Sequence, residues 1–124
     1  LPTFCALAGV DLPAGRVLDG YDLSHVLKGT GKSPRQTVFY YLGTEVWAVR
    51  HGRYKMHLKT VEPAYGEGKT VKTHAPPLLF DLTVDIGERN NVAAEHAEVL
   101  EGLIALVMQH RASIKSVPSQ LEIR

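Results

Sequence analysis

The stretch TVFYYLGTEVWAVRHGRYKMHLK, residues 37–59, decides the fold of this chain. It holds three runs rich in aromatic and β-branched side chains, which suit the pleated, half-buried surface of a strand. Gly43 and Gly52 mark short turns between the runs. Turns this short join antiparallel neighbours, so the stretch predicts a meander. The predicted strands cover residues 37–42, 45–50 and 53–59.

Side chains of the third run alternate between the two faces of the predicted sheet. One face carries the apolar residues Tyr54, Met56 and Leu58. The other face carries the polar residues Lys55, His57 and Lys59. Because such a pattern buries one face and wets the other, we expect the three polar side chains to face solvent.

A fourth strand is predicted in the sequence HAPPLLFDLTVDIGERNN, residues 74–91. Its apolar run, 78–82, follows the pair Pro76-Pro77 and leads into an acidic turn. Before it, residues 62–73 are polar and contain two glycines, which predicts a long loop between the third and fourth strands. Loops of this length in compact domains often carry function.

A long helix is predicted from about residue 94 to residue 115. Apolar residues recur there at spacings of three and four and form one stripe, as in a helix that covers a sheet. The stripe consists of Val99, Leu100, Leu103, Ile104, Val107, Met108 and Ile114. The predicted fold class is therefore α+β: a small four-stranded antiparallel sheet packed against one long C-terminal helix, with short N-terminal helices.

Two short helical segments precede the predicted sheet. Residues 1–9 suit a helix with Pro2 in its first turn and Gly9 just after its end. Apolar residues surround this helix instead of forming a stripe, so we expect it to pack against a partner. A second helix is predicted over residues 22–29, with Asp22 as its N-cap.

Composition and charge exclude several classes of protein. The chain has 124 residues, enough for one core, and its 44% hydrophobic and 22% charged residues are typical of a globular domain. A net charge of +1 predicts no nucleic-acid partner and no membrane-surface partner. Apolar runs are too short to span a bilayer. The chain begins at Leu1 with no methionine, so we expect a fragment of a longer protein.

Six histidines raise the question of a metal site. Their spacing includes no close pair on one helix face, so no metal site is predicted. His57, on the polar face of its strand, and His74, at the end of the long loop, are each candidates for the rim of a cleft. His74 is the stronger candidate, because the two prolines that follow it hold the loop in place.

Other reactive residue types receive structural interpretations. Asp81, Asp85 and Glu88 suit turn and cap chemistry around Gly87, with an asparagine at 90 or 91 as a further cap. Cys5, the single cysteine, excludes an internal disulfide and predicts a buried thiol. The GTGKS string lacks the spacing of a phosphate-binding loop and leads into a strand. No catalytic residue is therefore predicted in this chain.

Four segments, in order, carry a family resemblance. They are LPTFCALAGVDLP (1–13), LDGYDLSHVLKGTGKSPRQTVFYY (18–41), AVRHGRYKMHL (48–58) and HAPPLLFDLTVDIGERNN (74–91). Together they resemble the C-terminal portion of the sulfatase family, most closely its arylsulfatase A and N-acetylgalactosamine-6-sulfatase branch. The resemblance covers about residues 1–110.

The resemblance implies a subdomain of a sulfuric ester hydrolase that is not catalytic alone. Residues 1–35 would be lead-in helices and a loop at the junction with a missing large domain. Residues 36–116 would be the sheet and helix, and 117–124 a tail. The implied roles are to cover one side of that N-terminal catalytic domain, to place loop 62–77 at the rim for the sulfate-ester substrate, and to take part in homo-oligomer contacts.

The implied cofactors belong to the large domain. Sulfatases use a formylglycine, made from a Cys or Ser in a C/S-x-P-x-R motif, and a calcium ion held by Asp and Asn side chains. Cys5 is followed by Ala6 and Leu7, so it does not match that motif. The residue carried over is His74, because the branch places a histidine there, near the substrate entrance.

Two departures from the family pattern bear on origin. The usual Asp-Pro-Gly-Glu turn reads Asp85-Ile86-Gly87-Glu88 here, and the cysteine-rich tail of animal lysosomal enzymes is absent. We therefore expect a bacterial parent, periplasmic or cytoplasmic, rather than a lysosomal one. Two alternatives stay open: an autonomous α+β binding module, and the same subdomain of a related phosphodiesterase or phosphonate hydrolase.

Overall fold

A computed structural model describes residues 1–15, 18–62 and 68–114. The chain divides into two compact units, Leu1–Gln36 and Thr37–Arg124. The predicted tail, 117–124, lies outside the described residues.

The second unit contains a four-stranded antiparallel sheet in the order β1-β2-β3-β4. Its strands are β1 Thr37–Leu42, β2 Glu45–His51, β3 Tyr54–Glu62 and β4 Thr70–Asp81. The β1–β2 turn contains Gly43 and the β2–β3 turn contains Gly52, with φ of 60° and 57°. Glycine reaches this left-handed backbone at little cost, which explains the tightness of both turns. The predicted meander and α+β fold class are confirmed.

The β3–β4 hairpin differs from the prediction. Instead of a loop over 62–73, Lys59–Glu62 pair with Thr70–Thr73 in antiparallel register. This part of the hairpin holds Thr60, Val61, Thr70 and Val71, whose β-branched side chains favour extended backbone. Residues 63–69 connect the strands, and 63–67 lie outside the described part of the chain.

Strand β4 contains the proline pair that was expected to precede it. The register shifts between His57 and Lys59, opposite residues 74–77. A proline cannot donate to a ladder, so it is tolerated at an irregularity of an edge strand. The outer edge of β4 is covered at Leu79, whose backbone N–H donates to Asn91 Oδ1 and whose carbonyl accepts from the Val92 N–H, both at 2.9 Å.

A bulge in β2 decides which side chains enter the core. Tyr40 pairs with Ala48 and Tyr41 with Val46, so Trp47 is an extra residue. The bulge shifts the alternation, and both Val46 and Val49 are buried on the same face of the sheet. The indole Nε1 of Trp47 is buried with no hydrogen-bond partner among the described residues.

The long helix, α3, covers Ala97–Ser113 and packs on that face. It contributes Leu100, Leu103 and Val107 to a core shared with the sheet residues Val46, Val49, Met56 and Leu79. The helix begins three residues later than predicted, because residues 92–96 form a turn closed by the Val92 carbonyl. The predicted stripe was wrong for Met108 and Ile114, which are 65% and 45% exposed.

The first unit contains two short helices. Helix α1, Pro2–Ala8, ends at Gly9 with φ of 65°, as predicted. Helix α2, Ser24–Leu27, is shorter than predicted, and Asp22 accepts a hydrogen bond from the Ser24 N–H at 2.8 Å. Cys5 is half-buried rather than buried. In the part of the chain that the structure describes, none of the helices is both long and apolar enough to cross a bilayer.

Leu1 and two apolar side chains of α1, Phe4 and Leu7, are exposed in the first unit. Leu1 is 61% exposed, Phe4 75% and Leu7 52%. A patch of this kind is unusual for a free surface.

Candidate functional site

Three charged or polar side chains meet on the sheet face opposite α3. Glu88 contacts Lys55 through Oε1, at 2.5 Å from Nζ, and His57 through Oε2, at 2.6 Å from Nε2. Lys55 also lies over the ring of Tyr40, 4.9 Å from its centroid. The edge of His57 meets the ring of Phe80 at 5.7 Å. Both carboxylate oxygens of Glu88 are thus occupied by β3.

The turn after β4 delivers Glu88 to this position. Oδ2 of Asp85 accepts hydrogen bonds from the backbone N–H groups of Arg89 and Asn90, at 2.8 and 2.7 Å. The Glu88 N–H donates to the Asp85 carbonyl at 3.2 Å. Glu88 itself has φ of 53°, a left-handed conformation that is uncommon for a residue with a side chain. The turn therefore holds its glutamate in a fixed direction at some backbone cost.

Burial and charge set the protonation of this cluster. Burial lowers the pKa of His57, and the positive charge of Lys55 lowers it further, although Glu88 opposes both. Burial alone would raise the pKa of Glu88, but Lys55 and His57 together outweigh it and lower that pKa. At neutral pH the cluster therefore holds one carboxylate, one ammonium and a neutral imidazole. Its charges cancel.

The expectation that the polar face of β3 is open to solvent was wrong. The side chains of Lys55 and His57 are each 17% exposed, and that of Lys59 is 26% exposed. Each has an acidic partner, since Lys59 lies 2.7 Å from Glu45. The alternation of faces was predicted correctly, but a strand pattern does not show that the turn at Glu88 folds back over this face.

His74 lies within β4, rather than at the end of a long loop. Its side chain is half-buried. Nε2 of His74 is 2.9 Å from Oγ1 of Thr60 on β3. His74 is also close enough to His57 for its charge to lower the pKa of His57, after the larger effects of burial and Lys55. The hairpin, not a proline-held loop, positions His74.

The other carboxylates act in the turn, as the sequence suggested. Asp81 is ion-paired with Arg53 and accepts hydrogen bonds from the Thr83 N–H and hydroxyl, at 3.0 and 2.7 Å. The Arg53 guanidinium holds the pKa of Asp81 well below its usual range. Asn91, rather than Asn90, caps the following segment through the Ala93 N–H at 3.1 Å.

The remaining histidines on the sheet and at α3 make hydrogen bonds or ring contacts with neighbouring side chains. His110 stacks on Phe39 with centroids 3.6 Å apart, and its Nε2 lies 2.6 Å from the hydroxyl of Tyr41. His96 packs against Tyr54 at 5.4 Å. Nowhere in residues 1–15, 18–62 and 68–114 do three histidine, cysteine, aspartate or glutamate side chains come together as metal ligands.

A cleft of about 330 Å³ lies on the opposite, helix-covered side of the sheet. His51, Tyr54, Val99, Gly102, Leu103 and Leu106 line it. Its walls are mainly apolar and lack a nucleophile with an adjacent base, so the cleft offers no obvious chemistry. The candidate site is therefore the β3–β4 hairpin, where His74 contacts Thr60.

Sequence reasoning missed the contacts of two residues, Thr60 and Glu88. Thr60 fell at the edge of a region assigned to a loop, although the β-branched pairs around it signal strand. Glu88 was assigned to turn chemistry alone. Its partners are more than 30 residues distant in sequence, and no local pattern connects them.

Comparison with known proteins agrees with this architecture. The sequence profile described as the C-terminal region of aryl-sulfatase matches residues 33–124. Human arylsulfatase A is 42% identical over 142 residues, covering 98% of this chain and 28% of the enzyme. Canine N-acetylgalactosamine-6-sulfatase is 32% identical, covering 98% of this chain and 27% of the enzyme.

A solved structure gives the same result. The PsFucS1 sulfatase from Pseudoalteromonas sp. superposes with a TM-score of 0.79 at 25% identity, covering 95% of this chain and 25% of that one. The chain spans about a quarter of the length of each of these proteins. It corresponds to their C-terminal part, and the resemblance predicted from four segments is confirmed: this chain belongs to the family of aryl-sulfatase C-terminal regions.

Proposed function

We propose that this chain is the C-terminal subdomain of an enzyme that hydrolyses sulfate esters, and that its β3–β4 hairpin forms part of the substrate rim. The observation that carries the proposal is the 42% identity to human arylsulfatase A over nearly the whole chain. The subdomain supports a large catalytic domain and supplies no nucleophile of its own. The exposed apolar side chains of α1 favour this role over that of an autonomous binding module.

Within the rim, His74 contacts the substrate. A histidine N–H donates to an anionic oxygen, and a sulfate ester offers only acceptors at its periphery. His74 is half-buried and fixed on one side by Thr60, so its ring is held in place. The neutral Lys55–Glu88–His57 cluster holds β3 of the hairpin in place without competing for an anion.

Calcium and formylglycine belong to the large domain in this proposal. The residues here do not fit either group. Both oxygens of Glu88 are committed to Lys55 and His57, and the described residues lack a set of metal ligands. Cys5 lacks the proline and arginine of the formylglycine motif. A bacterial parent, periplasmic or cytoplasmic, stays a prediction.

The test is His74→Ala in the full-length enzyme, assayed with p-nitrophenyl sulfate. We expect KM to rise more than kcat falls, because the side chain contributes to binding rather than to bond breaking. A rise of about tenfold in KM corresponds to the loss of one charge-assisted hydrogen bond.

The matched control is His110→Ala, since His110 of α3 packs against Phe39 and Tyr41 of β1, at the sheet edge opposite β4. It should leave KM unchanged. If His74→Ala alters neither KM nor kcat, His74 is only a strand residue and its proposed role fails.

A further inference from the structure

Thr60 and His74 contact each other across the β3–β4 hairpin. Oγ1 of Thr60 is 2.9 Å from Nε2 of His74, and both side chains are half-buried. The ring is therefore held at Nε2, and Nδ1, the other ring nitrogen, has no hydrogen-bond partner in the part of the chain that the structure describes.

We propose that Thr60 is a positioning residue that keeps a proton on Nδ1 of His74, the nitrogen that donates to the sulfate ester. This inference rests on the proposed function of His74. It adds that Nδ1 is the ring atom that donates to the substrate and that Thr60 keeps the proton there.

The neutral histidine side chain has two tautomers. A neutral imidazole carries one proton, on either nitrogen, and its position is set by the hydrogen bond at the other nitrogen. The Thr60 hydroxyl can donate to Nε2, which places the ring proton on Nδ1. When the ring is protonated, the same hydroxyl rotates and accepts from Nε2. His74 thus offers an N–H at Nδ1 in both states.

Removal of the Thr60 hydroxyl should affect the neutral and the protonated forms of the His74 ring differently. Sulfate oxygens only accept hydrogen bonds, so a bare ring nitrogen repels them. Without Thr60 Oγ1, the neutral ring is free to carry its proton on Nε2. A donor at Nδ1 is then assured only in the imidazolium, which disappears as the pH rises.

The charged groups near the pair have their own partners. Lys59, which pairs in register with Thr73, contacts Glu45 at 2.7 Å, and Lys72, which pairs with Thr60, lies 3.8 Å from Glu62. On the same hairpin, burial lowers the pKa of His57, and Lys55 and His57 are bound to Glu88. Thr60 is therefore the group that acts directly on the His74 ring.

The test is Thr60→Val in the full-length enzyme with p-nitrophenyl sulfate, because valine keeps the β-branched shape and removes the hydroxyl. We expect KM to rise about threefold to tenfold, as for one hydrogen bond, with kcat unchanged. The ratio of the variant's KM to that of the wild type should grow as the pH is raised from about 5.5 to about 8. Thr60→Ser should restore the wild-type KM.

Thr37→Val is the matched control. It removes another threonine–histidine contact, Thr37 Oγ1 to His51 Nδ1 at 2.7 Å, from the β1–β2 pair. It should leave KM unchanged at every pH. A KM ratio for Thr60→Val that stays at one, or that is raised equally at all pH values, would overturn the positioning role.

His74→Ala, measured alongside, separates the two failures. If His74→Ala raises KM and Thr60→Val does not, the rim function stands and the role of Thr60 is wrong. If His74→Ala leaves KM unchanged, both proposals fall.

Discussion

Glu88 connects the turn after β4 to strand β3. Its backbone adopts a left-handed conformation within the turn. Its carboxylate reaches across to β3 and neutralises Lys55, while it also accepts from His57. A residue that combines an uncommon backbone conformation with a half-buried ion pair contributes more to the stability of the fold than its place in a turn suggests.

Replacement of Glu88 by Gln removes the charge and keeps the side-chain size. We expect the free energy of unfolding at pH 7 to fall by about 1 kcal/mol, since solvent screens a partly exposed pair. The pKa of Glu88 is lowered in the folded chain. Its charge therefore stabilises the fold above the ordinary glutamate pKa of about 4.3, and this contribution is lost as the pH falls through the folded pKa. Urea unfolding of the wild type and the variant between about pH 3 and pH 7 measures this difference in the free energy of unfolding.

Glu62→Gln is the comparison. Glu62 lies 3.8 Å from Lys72, and both side chains are 60% exposed, so the variant should match the wild type within error. Equal losses in the two variants, or a loss for Glu88→Gln that persists at the lowest pH, would contradict the role of the cluster.

At the scale of elements, α3 stabilises the sheet through a narrow stripe. Leu103 is 4% exposed and packs in the core shared with β2, β3 and β4, whereas Met108 on the same helix is 65% exposed. Burial of apolar surface is the dominant favourable contribution to folding, so these two positions should differ strongly.

Leu103→Ala should lower the free energy of unfolding by about 2–5 kcal/mol, the range for a large-to-small change in a packed core. Met108→Ala, which truncates an exposed side chain, should change it by less than about 0.5 kcal/mol. Thermal or urea unfolding of both variants decides the matter. Similar effects would mean that the helix packs on the sheet by a different face.

The elements were largely predictable from sequence, and their limits show why the rest was not. The meander was readable because its aromatic and β-branched runs are separated by glycines that permit tight turns. The β3–β4 hairpin was underestimated because polar threonines and lysines conceal strand pairing. Glu88 and Thr60 depend on partners on other strands, and single-sequence patterns carry no information on such contacts.

At the scale of the whole molecule, the chain spans about a quarter of the length of the relatives it matches. The alignment with human arylsulfatase A covers 98% of this chain but only 28% of that enzyme. The fold and the family are shown by this part of the relatives' length, and we propose that the bond-breaking groups belong to a large domain outside it.

The chain alone should release no sulfate from p-nitrophenyl sulfate, even with added calcium. The reason is that it lacks the formylglycine motif and, in its described residues, a set of metal ligands. Assay of the chain beside the full-length enzyme, at equal concentration, checks this. Clear turnover by the chain would refute the assignment of catalysis to the large domain.

Trp47, the extra residue in the β2 bulge, is the only tryptophan of the chain. Its indole N–H is buried without a partner among the described residues, and the ammonium of Lys59 lies 5.9 Å from its ring. Indole emission responds to hydration and to nearby charge. Fluorescence excited at the red edge of indole absorption therefore comes from the second unit, Thr37–Arg124, alone. The first unit, Leu1–Gln36, contains no tryptophan and contributes no such emission. One spectroscopic signal can thus follow the unfolding of the sheet separately from that of the segment before it.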